Sequence, residues 1–377
     1  MPIQARVIFA NQLRGLAVVL VMVSHLVVLF WAAPSFVTLS VAAPAPTVPP
    51  PWVSVLLAGL PQISLGPLGV AIFFLISGFV IPFSLAKLSV GEFARARLLR
   101  ILPPYWVGLA LQVAVIAASA SFWDLPDQLS WQRILANAAL AFNLFHVSSI
   151  DTVNWTLVVE LAFYGLAGLA APWLRAGRCW PLALFWLSCV LVNTGMAWAS
   201  ALVPSLASKL ATASVYVSSL AFMTLGCVFH LAMRGVLGRS AFAGLLGAGL
   251  LSFVLSKVLG PAGEGEAAIL ASYTLALLLF GLAYQFRDRF RPTPLLDALA
   301  AISYPLYLIH AVVGYTALRF AMVLWGWSYG AALLMALGLI LPVAWLLHVT
   351  VERWSIAAGR PANTADQRPL APPPVAP

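Results

Sequence analysis

Charge is what this sequence most lacks. Only 8% of its 377 residues are Asp, Glu, Lys or Arg, against about 25% in an ordinary soluble domain. None of the four occurs between Arg14 and Lys87. One bilayer crossing needs about 20 apolar residues, so an uncharged stretch this long excludes a water-soluble globule and points to a polytopic membrane protein. Cysteine is scarce as well. Cys179, Cys189 and Cys227 show no paired or metal-ligand spacing, so neither a disulfide nor a metal site is expected. No Gly-rich phosphate loop and no Gly-x-Ser-x-Gly elbow occurs. The net charge of +9 comes from basic blocks between apolar spans, which is a topology signal and excludes nucleic acid as a partner.

What the chain has in quantity is apolar runs. They fall at 8–32, 64–86, 99–120, 132–146, 155–174, 180–200, 210–233, 240–258, 267–286, 298–320 and 328–350. The first is longer than the apolar region of a cleavable signal, about 7–15 residues, and reads as a membrane helix. The run at 132–146 is too short to cross and reads as re-entrant or interfacial. Ten crossings with both termini cytoplasmic put 15 of the 20 Lys and Arg inside, as the positive-inside rule requires. The expected fold is therefore an all-α transmembrane bundle of about ten spans over residues 1–354. The uncharged, proline-rich segment 34–63 is expected outside in extended polyproline form, and the Pro/Ala-rich tail 355–377 is expected to be a disordered cytoplasmic segment.

Ionisable groups inside spans are costly, and each is a functional candidate. Arg14 and His25 lie eleven residues apart on the first span, three helical turns plus about 20°, so they share a face about 16 Å apart. Glu160 enters its span at the depth of His25, and a carboxylate there would fix the imidazole tautomer. Ser303, Tyr307 and His310 follow i, i+4, i+7 spacing on one face of the span 298–320. From spacing alone a structural hydrogen bond is the commoner explanation for His25 and for the Ser303–His310 stripe, and a structural ion pair explains Glu160 equally well. His146 and Asp151 stand at the His-x4-Asp spacing of glycerolipid acyltransferases, a pairing that chance supplies readily, and nothing is built on it.

Taken together, five segments in order resemble the membrane acyltransferase 3 family, bacterial O-acyltransferases acting on cell-surface sugars, antibiotics and related acceptors. Leu13-Arg14-Gly15-Leu16-Ala17 leading to His25 resembles the family's Arg-x10-His helix. Phe73-Phe74-Leu75-Ile76-Ser77-Gly78-Phe79 resembles its Phe-Phe-Ile-Ser-Gly-Phe segment, and Arg95 through Trp106 the basic approach to its third span. Trp155-Thr156-Leu157-Val158-Val159-Glu160 with Phe163-Tyr164, and Ser303-Tyr304 through His310, are similar to its remaining two motifs. Two positions depart from the pattern. Asn11 stands where many members carry Asp, and Val351-Glu352-Arg353-Trp354 lacks the Pro of Val-Glu-Lys-Pro, leaving Glu352 as a candidate partner for Arg14.

The resemblance implies acyl transfer from acyl-CoA, most often acetyl-CoA, to a hydroxyl of a sugar, surface glycan or glycosylated small molecule at a bacterial plasma (inner) membrane. No tightly bound cofactor and no metal are implied, and no oligomeric state. Arg95, Arg97 and Arg100 at the inner mouth, with Arg14 deeper, would bind the CoA phosphates. Trp155, Ser303 and Tyr307 would line the substrate site. His25 would serve as general base with Glu160 orienting it, or as nucleophile through an acyl-His intermediate. His310, with Tyr307, would position the thioester or its oxyanion. The competing reading is a transporter or channel using the same intramembrane groups as a substrate or proton path.

Overall fold

The computed structural model describes residues 7–60, 62–261, 263 and 265–360, and among these every regular element is helical. Nine helices are long and apolar enough to cross a membrane: α1 (Ile8–Ala32), α4 (Leu65–Leu85), α5 (Val90–Trp123), α9 (Trp180–Leu202), α10 (Pro204–Met233), α11 (Arg239–Val258), α12 (Glu266–Gln285), α14 (Ser303–Leu324) and α15 (Tyr329–Ala358). A tenth apolar helix, α7 (Asn154–Leu169), is 16 residues long and continues into the short α8 (Ala171–Arg175). These ten coincide with the ten expected crossings. The segment 132–146 contributes only α6 (Trp131–Ala138), followed by turns. Its Arg133 is held by the carbonyls of Gln128, Ser148 and Ser149, so this segment folds back on itself and does not cross.

The segment after α1 departs from the expected polyproline form. It holds two short helices, α2 (Pro34–Val41) and α3 (Trp52–Ala58), with irregular chain between them. Proline at the first position of α2 is a favourable helix start, because its missing N–H needs no partner there. Helix α15 runs to Ala358 and so includes Ser355–Ala358 of the expected tail, while residues 361–377 lie outside the described residues.

Hydrogen bonds sort the loops to two ends of the bundle. At one end Arg175 donates to the Leu85 and Leu88 carbonyls, Arg234 to those of Leu174 and Arg175, Arg95 to Ala358, and Gln12 to Arg291. The arginines among them, Arg95, Arg175, Arg234 and Arg291, are ones the charge rule assigns to the inside. At the other end Lys257 pairs with Glu266 at 2.9 Å. There Arg319, fully buried, donates to the Pro34 carbonyl at 2.9 Å and lies 5.0 Å from the Phe30 ring centroid, tying α14 to the corner between α1 and α2. Helix α5, at 34 residues, is about 51 Å long and outruns a hydrocarbon core of about 30 Å. Its surplus is the basic inner turn, started by a capping box in which Ser89 and Glu92 bond each other's backbone N–H.

Helices α4 and α10 cross at their closest where Gly78 faces Gly226. A Cβ on Gly78 would overlap the Met223 carbonyl, and one on Gly226 the Leu75 carbonyl. Both obstacles are backbone, so neither gives way. Small residues at such crossings let transmembrane backbones approach. Gly78→Ala is expected to destabilise the protein by about 1–3 kcal/mol, read as a lowered melting temperature in detergent. Gly165→Ala, which meets nothing within 4 Å on α7, is the control and should leave the melt unchanged or raise it.

Candidate active site

A π-helical turn, Ser24–Leu29, interrupts α1 at His25. Such turns are rare and concentrate at functional positions. This one shifts the register after Val23 and carries His25 against α14, where its Nδ1 lies 2.7 Å from His310 Nε2. The tautomers follow from the next link. His310 Nδ1 is 2.9 Å from the Tyr307 carbonyl and 3.2 Å from that of Leu306. A carbonyl only accepts, so His310 carries its proton on Nδ1 and a neutral His310 accepts at Nε2. His25 therefore donates from Nδ1, and in its neutral form keeps an unprotonated Nε2 with a free lone pair. His310 is fully buried and His25 half-buried.

The expected partnership of His25 with Glu160 does not form. Depth along the span fixed the level of both groups but not the direction each faces, and at that level His310 is the neighbour. Glu160 instead accepts hydrogen bonds at Oε1 from Tyr164 at 2.5 Å and Ser77 at 3.3 Å. Its Oε2 has no protein donor among the described residues. The suggested pairing of Arg14 with Glu352 is also absent, because Glu352 pairs with His348, 2.6 Å away on a second π-helical turn.

Arg14, Ser77, Arg100, Glu160 and Tyr164 line one cavity between α1, α4, α5, α7 and α14. Neither Arg14 nor Arg100 has a hydrogen-bond or ion-pair partner among the described residues. Buried or half-buried guanidinium groups left this way are suited to anions. Ser303, Tyr304 and Tyr307 close the cavity on the side of the histidine pair. Thr156 donates to the Val153 carbonyl at 2.8 Å, so its 2.9 Å bond with Tyr307 has the tyrosine as donor. Ser303 likewise spends its proton, on the Ala300 carbonyl at 2.8 Å. The protons of His310 and Tyr307 are thus both committed inside the protein, on the Tyr307 carbonyl and the Thr156 hydroxyl, so neither points to an oxyanion as expected.

The remaining candidates are spread out. Arg97 donates to the Ser84 hydroxyl and lies over the Phe93 and Tyr164 rings at 5.5 and 5.8 Å, which holds the cavity wall. Arg95 is exposed, donates to the Ala358 carbonyl at 3.2 Å and does not line the cavity. Trp155 does not line it either. It stacks on Tyr216 with centroids 6.2 Å apart, and the next two residues, Thr156 and Leu157, face the cavity. Ser77, Thr156, Tyr164 and Tyr304 are site residues that the reading of charged groups passed over. The spacing of Tyr164 four residues after Glu160 was the available signal for one of them.

Asn11 also acquires a reason. Its side-chain N–H donates to Asp297 Oδ1 at 2.9 Å, while Asp297 Oδ2 accepts from the Thr293 backbone at 2.9 Å. Asp297 lies on α13 (Pro294–Ala301), and an Asp at position 11 would set two like charges together. His146 is exposed and Asp151 buried, with no contact between them, so the His-x4-Asp spacing has no counterpart in the fold.

The apolar helices, with a polar cavity among them, mark a multi-pass membrane protein. Residues 7–349 match the acyltransferase domain family. That match spans nearly the whole chain, so the chain belongs to this family, as the five-segment resemblance implied. Acyltransferase MdmB of Streptomyces mycarofaciens is 33% identical over 134 residues, covering 33% of this chain and 32% of that protein. The chain thus matches about a third of the length of this curated relative. No solved structure matches significantly.

Proposed function

We propose that the protein moves an acyl group, most simply acetyl, from cytoplasmic acyl-CoA to a hydroxyl of a sugar, surface glycan or glycosylated small molecule at a bacterial plasma membrane. The observation that carries this reading is the chain His25 Nδ1–His310 Nε2 at 2.7 Å, ending on the Tyr307 carbonyl, beside a cavity with two unpartnered guanidinium groups. It supplies a base on one side and an anion site on the other. Arg14 and Arg100 bind phosphates of the donor, and Glu160 Oε2 takes a hydroxyl or amide N–H of its pantetheine arm. His25 Nε2 removes the acceptor hydroxyl's proton as the oxygen attacks the thioester carbonyl. The tetrahedral intermediate then expels CoA thiolate, which takes the proton back from His25, leaving ester and CoA. His310 is a positioning residue. It fixes the reactive tautomer, and its Nε2 accepts a stronger bond from Nδ1 as His25 becomes cationic, the part a carboxylate plays in other triads.

The test is release of free CoA from acetyl-CoA by purified protein with a panel of sugar and glycosylated acceptors. Acceptor-stimulated release should fall about 10²–10⁴-fold in His25→Ala. Undiminished release by that variant would sink the assignment of His25. Uptake of a labelled solute by proteoliposomes without CoA release would favour the transporter reading.

A further inference from the structure

Helices α7 and α9 are consecutive crossings joined through α8 by a tight turn, yet they barely touch, and each packs on α10 instead. Between them lies a second cleft, open on one side. Its walls are mostly apolar: Phe163, Ala167 and Ala170 on the α7 side, Leu182 and Phe185 on the α9 side, with Thr224 and Cys227 of α10 also lining it. An apolar space does not hold water, which needs polar partners, and left empty it forfeits the packing of its lining. In a bilayer the available occupant is a lipid acyl chain. The rim names the headgroup. Arg175 and Arg234 are spent on backbone carbonyls, whereas Arg178, exposed at the cavity mouth, has no side-chain partner among the described residues. Trp173 and Trp180, 5.8 Å apart at the same level, mark it as the interface, where aromatic rings meet headgroups.

We infer that this wedge is a binding site for one anionic phospholipid, its acyl chain between α7 and α9 and its phosphate on Arg178. The site has a consequence for the chemistry, which rests on the acyl-transfer reading above. Helix α7 at 16 residues is about 24 Å long, short for a crossing, and it carries Phe163 and Ala167 toward the wedge and Glu160 and Tyr164 toward the donor cavity. A bound lipid braces α7 from behind and holds those two donor-site groups in place.

The experiment compares wild type, Arg178→Gln and Ala170→Trp, which fills the wedge with a ring, after exchange into nanodiscs or micelles containing phosphatidylglycerol or phosphatidylcholine. Phospholipid retained per protein is counted by native mass spectrometry, with a thermal melt as the check on folding. Wild type should retain phosphatidylglycerol about fivefold better than phosphatidylcholine. Arg178→Gln should lose that preference, and Ala170→Trp should retain neither lipid while melting no lower than wild type. Equal retention of the two lipids by wild type assigns the wedge to bulk lipid or detergent and overturns the proposal. So does an undiminished preference in Arg178→Gln. In parallel, KM for acetyl-CoA should rise when phosphatidylcholine replaces phosphatidylglycerol, and stay level in Ala170→Trp. An unchanged KM with lipid bound overturns the coupling to α7. Absence of turnover in every lipid counts against the acyl-transfer reading, and the retention count then still decides the lipid site.

Discussion

His310→Ala lowers kcat for acyl transfer by about 10²-fold and leaves KM for acetyl-CoA within about twofold. The size follows from what the substitution strands. A neutral hydrogen bond contributes only about 0.5–1.5 kcal/mol, but a buried donor left without a partner costs about 1–3 kcal/mol. His25 Nδ1–H would be such a donor, and the ring is then free to adopt the tautomer that blocks Nε2. His310→Gln places an amide oxygen where Nε2 was and should recover part of the loss, which a purely structural role for the ring would not predict. The double variant with His25→Ala should be no slower than His25→Ala alone, because residues acting as one unit are non-additive. Additive losses, or a His310→Ala enzyme with normal kcat and a lowered melt, would reduce His310 to a packing residue.

The fold was legible because its cause is written residue by residue. Charge-free runs mark spans, basic blocks mark the inner ends, and the over-short run at 132–146 could be set aside on its length together with the positive-inside count. The irregular turns were less visible. The proline-rich stretch 34–63 looked extended, but Pro34 and the apolar residues after it suffice to start α2, and composition does not distinguish a short interfacial helix from a coil. Within the site, two of the expected residues, Arg95 and Trp155, do not line the cavity, and His25 meets His310 where Glu160 was expected. Span position gives depth, so Glu160 could be matched to the level of His25, with His310 nearer mid-membrane. Which two of the three meet depends on which helices are neighbours and on the π-helical turn at Ser24–Leu29, and hydropathy carries neither. Hydrogen-bond direction was also out of reach. Only with Thr156 donating to Val153 and His310 bonded to Tyr307 does it emerge that both expected oxyanion donors are already engaged.

The four arginines expected at the donor site should separate when each is replaced by glutamine. Arg14→Gln and Arg100→Gln remove unpartnered guanidinium groups lining the cavity, and a hydrogen bond to a charged partner is worth about 1.5–3 kcal/mol. Each should therefore raise KM for acetyl-CoA by about 10–100-fold with kcat little changed, since phosphates far from the reacting carbonyl bind equally in ground and transition states. Added salt should raise the wild-type KM by screening the mouth of the site, and do so less in either variant. Arg97→Gln acts differently, because Arg97 braces Ser84 and Tyr164. Its signature is a lowered melt together with a moderate rise in KM. Arg95→Gln loses one exposed bond to the Ala358 carbonyl and should change KM by less than about twofold, in line with the small worth of exposed polar contacts. The order matters more than the sizes. Spacing along the chain treats Arg95, Arg97 and Arg100 as one basic cluster, whereas the fold turns only Arg100 into the cavity beside Arg14. An Arg95→Gln enzyme as impaired as Arg100→Gln would mean that the donor's phosphates lie outside the cavity, along the exposed face of α5, and would move the anion site away from Glu160 and the histidine pair.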